Sequence, residues 1–102
     1  GLECSELLGN ANWDDAKKMC TEYRGGGYDD WYLPSEVELK FIFKNLVETG
    51  KIMPIDRKFW SSNECQVYVG AYTVSLSFGN SNDYEKHKRF NVRAVRAFNI
   101  DD

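Results

Sequence analysis

The feature that most constrains this chain is a change of hydrophobic period near Phe59. Upstream of it apolar residues recur at intervals of three and four, the repeat of a helix with one buried face, and downstream they alternate, as in strands. Trp13, Ala16, Cys20 and Tyr23 make the first helical stripe. Asn12 stands before it as an N-cap, and Asp14 and Asp15 occupy the first turn, where carboxylates meet the positive helix end. Gly25-Gly26-Gly27 ends this helix and reads as a loop. No Lys-Ser/Thr follows the glycines and no strand precedes them, so they do not form a phosphate cradle. Ser35 and Glu38 form a capping box just after Leu33-Pro34, and Leu39, Ile42, Phe43 and Leu46 form the second stripe, closed by Thr49-Gly50. Residues 51–58, with Pro54, read as a connection.

Past Phe59, Tyr72, Val74, Leu76 and Phe78 fall on one face of a strand and Thr73, Ser75 and Ser77 on the other, the pattern of a half-buried strand. Gly79 to Asp83 is a turn signal, which makes residues 84–89 the partner strand of a hairpin. Val92 to Phe98 reads as one last, central strand. Helices first and antiparallel strands afterwards predict an α+β fold, two helices packed on a twisted antiparallel sheet, and 102 residues make one domain over 1–102.

Composition excludes several functions. A net charge of −3 argues against nucleic acid as a partner, because such binders need a basic surface to displace counterions. The short Lys86-His87-Lys88-Arg89 run reads as a solvated strand or turn rather than a polyanion site. No apolar run approaches the ~20 residues of a membrane span, so membrane insertion is not expected. The opening Gly1-Leu2-Glu3-Cys4 carries no leader pattern, which says little about compartment. With three Cys at least one is unpaired within the chain; Cys4 and Cys20 either tie the N-terminus to the first helix or remain buried thiols. His87 is the only histidine and the cysteine spacings match no zinc signature, so neither a metal nor a cofactor is expected. Six Phe, six Tyr and three Trp exceed what so small a core encloses, which leaves several Tyr partly exposed as contact residues.

Four segments in order resemble a known family: Asn12 to Lys17, Gly26 to Leu39, Phe59 to Glu64 and Val92 to Phe98. The chain is similar, from about Asn12 to Phe98, to a bacterial and phage domain family. That family includes the C-terminal domain of collagen-like adhesins and variable proteins of diversity-generating retroelements, and is distantly similar to the formylglycine-generating-enzyme fold. The resemblance implies a C-type-lectin-like fold, with Trp13, Trp31, Leu33 and Trp60 as scaffold, and display on a cell envelope or a virion; Arg93 and Arg96 in the last strand are too costly to bury unpaired, which makes Glu36, Glu38 or Glu64 their expected partners.

It also implies where a ligand is met. Within the retroelement group the stretch between Trp-Ser-Ser and the closing Val-Arg-Ala-Val-Arg is diversified at adenines, and AAC-type codons cannot yield Gln, Glu, Lys, Met or Trp. Cys65, Tyr68, Gly70, Ser75, Ser77, Tyr84, His87, Arg89 and Phe90 fit that restriction, and with Tyr72 they make the candidate ligand-binding face; ordinary loop chemistry remains the alternative. A protein or glycan receptor is the expected partner. Calcium-dependent sugar binding lacks a Glu-Pro-Asn or Gln-Pro-Asp triplet. Catalysis is not expected, because the three cysteines lack the required local contexts and His87 has no evident nucleophile or acid beside it. A structural tip of a fibre or pilus, with possible oligomerisation through the same aromatic surface, is the third reading.

Overall fold

The computed structural model describes residues 1–51, 57–76 and 79–99. Ser77, Phe78 and Pro54 lie outside them. Helix α1 spans Trp13–Glu22, and the Asp15 amide donates to the Asn12 side chain at 2.9 Å, as the sequence predicts. It ends on Tyr23 in an extended conformation, so the glycines lie beyond the cap. They form a tight 3-10 turn in which Gly26 and Gly27 take φ of 68° and 81°, values that favour glycine. This turn places the Gly25 carbonyl to accept the Trp31 indole N–H at 3.0 Å. Helix α2 spans Glu36–Glu48 with the full capping box: the Glu38 amide donates to Ser35 Oγ and the Ser35 amide to Glu38 Oε1.

The strands are β1 (Leu2–Cys4), β2 (Gly9–Ala11), β3 (Lys58–Cys65), β4 (Gly70–Ser75), β5 (Ser81–Glu85), β6 (Phe90–Val92) and β7 (Val95–Ala97). They form a five-stranded sheet in the order β2-β6-β3-β4-β5 and a two-stranded β1-β7 ladder. Pairing is antiparallel except between β3 and β6, which meet in parallel at Phe59 and Asn91.

The last strand is not the single one expected. It breaks at Arg93-Ala94 because Ser5 takes up the backbone there. Ser5 exchanges bonds with Ala94 through its own amide and through its hydroxyl, and its carbonyl accepts from Arg93 Nη1 at 2.8 Å. The chain therefore switches from pairing with β2 to pairing with β1. The hairpin also differs, since β5 begins at Ser81, inside the expected turn, and residues 86–88 turn instead.

Alternation in β4 does not mean one wet face. Thr73, Val74 and Ser75 are all buried, because both faces of the strand are covered. Strand parity sends Trp60 and Ala71 to the α1 side, into a cluster with Trp13, Ala16, Cys20, Trp31 and Leu33, and sends Phe59 and Val74 to the α2 side, with Leu39, Ile42 and Phe43. The scaffold residues Trp13, Trp31, Leu33 and Trp60 are buried as core anchors should be. Each indole N–H reaches a backbone carbonyl: Trp13 to Ser61, Trp31 to Gly25 and Trp60 to Ala11. Burial without those partners would leave a costly orphan donor.

The arginine partners differ from those expected. Arg96 pairs with Asp30 at 2.8 Å and Glu3 at 3.1 Å, with its guanidinium 3.5 Å from the Tyr28 ring centroid. Arg93 bonds the Ser5 carbonyl. Glu38 is occupied by its own capping box and by the Tyr32 hydroxyl, and Glu64 meets Lys86. Cys4, Cys20 and Cys65 are free thiols. Burial, and secondarily the nearby Cys4, pushes the Cys20 thiol up to about 12, so it is inert as a nucleophile at neutral pH.

Candidate binding face

Beyond Trp60 the register of β3 against β4 slips before Glu64, a bulge. Side chains and backbone of the bulge fasten it down. Ser61 Oγ donates to the Tyr72 carbonyl at 2.8 Å and accepts from the Asn63 amide; Asn63 Oδ1 accepts from the Glu36 amide at 2.8 Å; the Ser62 amide donates to the Pro34 carbonyl. The start of α2 is thereby pinned to β3. The chain then turns through Gln66-Val67-Tyr68-Val69 into β4.

At this turn Val67 is 90% exposed and Val69 76%, with Tyr68 at 41% between them. The Tyr68 ring folds back over the bare backbone of Gly70, where a Cβ would come within 2.6 Å of it. By register, Cys65, Gly70, Tyr72, Asp83 and Glu85 share the α2 side of the sheet. Cys65 donates its thiol hydrogen to Asp83 Oδ2 at 3.7 Å. The Tyr68 hydroxyl is held above its ordinary pKa by burial, then by the charge and hydrogen bond of Asp83. Tyr72 is raised first by Cys65 and also by Asp83 and Glu36. Both phenols therefore stay protonated and can donate.

The other expected contact residues lie elsewhere. Tyr84 projects to the α1 side, where its ring lies 4.7 Å from Phe90, and Phe90 stands edge-on to Trp60 at 5.0 Å. Both are half-buried against the first core cluster. Arg89 donates to the Asn10 carbonyl at 2.7 Å and so is tied to β2. His87 is exposed in the 86–88 turn, 3.6 Å from Glu85. Cys65, Gly70 and Ser75 are buried. The residues picked from sequence thus divide between two sides of the β4–β5 ladder rather than making one patch. Tyr68 and Tyr72 gather on the α2 side, with Val67, Val69, Asp83 and Glu85, which the sequence reading did not single out. The only signal for the valines was a pair of β-branched residues flanking a Tyr, and it becomes meaningful once the turn is placed.

An open groove of about 1050 Å³ lies beside the β1-β7 ladder, lined among others by Tyr28, Asp30, Arg96 and Phe98. Its charged groups are spent on one another, as the Arg96 guanidinium already bonds Asp30 and Glu3. Among the described residues no group of three or more His, Cys, Asp or Glu is placed to hold a metal ion.

Residues 2–96 match the family model of the Lcl C-terminal domain. The chain belongs to that family. The motifs of this Lcl C-terminal domain fall at its joints: the α1 cap, the run into the capping box of α2, the β3 bulge and the ladder switch at Arg93-Ala94. Its fold is C-type-lectin-like, α+β, and is shared with solved structures at low identity. EMS16, an antagonist of the collagen receptor integrin α2β1, matches with a TM-score of 0.64 at 14% identity, over 95% of this chain and 92% of that one. Botrocetin matches with a TM-score of 0.62 at 18% identity over 95% and 92%. An EPNH mutant of CEL-I matches at 0.54 and 10% identity over 96% and 89%. No curated protein matches the chain significantly.

Proposed function

We propose that this domain is a non-enzymatic recognition module that engages a receptor outside the cell through the β3–β4 turn and the α2 side of β4 and β5. The observation that carries this reading is the exposure of Val67 and Val69 on either side of Tyr68, on a hairpin held rigid by the Ser61 and Asn63 bonds. Two valines left in water gain nothing for the fold, whereas rigid aromatic and aliphatic side chains bind at small entropic cost. Protein recognition is known on this fold in two neighbours: EMS16 is an integrin antagonist, and botrocetin is seen in complex with the von Willebrand factor A1 domain. No helix among the described residues is long and apolar enough to cross a membrane, and surface display fits the family's adhesin members.

The finer reading is a diversity-generating-retroelement variable protein, with a non-variable adhesin or a fibre-tip domain as the alternatives. Exposed Tyr68 and His87 and half-buried Tyr72 are fit to vary; buried Gly70 and Ser75 are not. A neighbouring DNA repeat matching the codons for residues 60–98, except at adenines, decides between these readings. Its absence, together with that of a reverse-transcriptase gene, leaves the adhesin.

Binding itself is tested on an array of extracellular-matrix proteins and glycans, comparing the wild type with Tyr68→Ala and Val67→Ser. Each variant should lose about tenfold or more in affinity for whichever probe the wild type retains, with its melting temperature unchanged. Equal binding by these variants, and its loss in Tyr28→Ala or Phe98→Ser, moves the site to the groove beside β1 and overturns the reading.

A further inference from the structure

Resting on the binding-face reading above, we infer that the partner is a protein surface presenting a lysine or arginine beside an apolar side chain, the cation meeting Asp83, Glu85 and the tyrosine rings while the apolar group covers Val67 and Val69. On the α2 side, Asp83 and Glu85 are exposed and Glu36 is half-buried at the helix start. Among the described residues none of the three pairs with Lys or Arg; Glu85 meets only exposed His87, and Asp83 only accepts from its neighbours.

The basic residues that follow in sequence are mostly directed elsewhere. Lys86 spans from Glu64 to the Trp13 ring, 4.2 Å from its centroid, and Arg89 is bound to Asn10. Lys88, exposed in the turn, is the remaining cation there. The tip therefore carries uncompensated negative charge next to aromatic faces and two unpacked valines. A carboxylate offers an acceptor to an ammonium or guanidinium, and a tyrosine face attracts the same cation through its quadrupole. The raised phenol pKa values keep Tyr68 and Tyr72 neutral, so they do not add a charge that titrates near physiological pH.

Glycans satisfy this surface poorly. They carry few cationic groups, and they cannot dry the valines as an aliphatic side chain does. An anionic polysaccharide would be repelled by the same carboxylates.

The test is a selection of random dodecapeptides displayed on phage against the folded domain at low salt. Binders should be enriched in Lys or Arg next to Val, Leu, Ile or Phe. The dissociation constant of a chosen synthetic peptide should rise about tenfold between 50 and 500 mM salt, because exposed charge pairs are screened. The double variant Asp83→Asn/Glu85→Gln should raise it about three- to tenfold. Glu85→Gln alone, at an exposed strand end, serves if Asp83→Asn lowers the melting temperature. Peptides without basic residues, indifferent to these carboxylate changes but weakened by Tyr68→Ala or Val67→Ser, overturn the inference and leave the binding face standing. Peptides indifferent to all four substitutions, or no binder at all, overturn both.

Discussion

Replacing Trp60 by Phe tests whether this side chain is a clamp or merely a filler. Trp60 is fully buried, donates to the Ala11 carbonyl at 2.9 Å across 49 positions of sequence, and stands edge-on to Phe90. Phenylalanine keeps the ring contact with Phe90 and loses two things. The smaller ring vacates roughly 40 Å³, which at about 24 cal/mol per Å³ costs about 1 kcal/mol. The Ala11 carbonyl also loses a donor inside the protein, a loss of about 1–3 kcal/mol. The sum is about 2–4 kcal/mol, and at about 4–8 °C per kcal/mol for a domain of this size the melting temperature falls by roughly 8–32 °C. Urea unfolding followed by circular dichroism measures it: the midpoint should fall while the slope m stays constant. A loss below about 1 kcal/mol would mean that Trp60 is only a filler, because the cavity alone accounts for that much and the indole bond from β3 to β2 would then contribute nothing.

The other expected outcomes concern the helix start and the alkaline limb of stability. Ser35→Ala removes the acceptor of the Glu38 amide and should cost about 1 kcal/mol, or roughly 4–8 °C; a melt identical to wild type means that the Asn63 bond to the Glu36 amide and the residue-35 amide bond to Glu38 hold the helix start without the hydroxyl. Burial, and then its bond to Glu38, pushes the Tyr32 hydroxyl up to about 12. The native state therefore keeps a proton that the unfolded chain releases near pH 10, so stability is intact below about pH 10 and falls as pH rises toward 12. Tyr32→Phe should flatten that decline by about 1 kcal/mol once solvent screening is allowed for, read as urea midpoints from pH 9 to 12; an unchanged slope in the variant contradicts the assignment.

What could be read along the chain was what is local. The Asn12 cap and the Ser35–Glu38 box depend on side chains meeting backbone three residues away, and both formed as expected. The division of the last strand could not be read, because the residue that divides it, Ser5, lies 89 positions from Ala94. The arginine partners were missed for the same reason: the β1-β7 ladder sets Glu3 opposite Arg96, and the three-residue β1 is too short to carry a period. For the binding face, the sequence supplied the tyrosines but not their sides. Tyr72 and Tyr84 look alike in composition and are sent to opposite faces by register.

From residue order alone came the α+β class, the two helix starts and their buried stripes, since each depends on periodicity and on contacts within a turn or two; strands β1 and β2, which precede α1, carry too few residues to show a period. Only the tertiary structure decided which surface is left for a partner. The β3 bulge and the β4–β5 register fix which side chains emerge together, and a one-residue slip of β5 would put Tyr84 in place of Asp83 beside Tyr72.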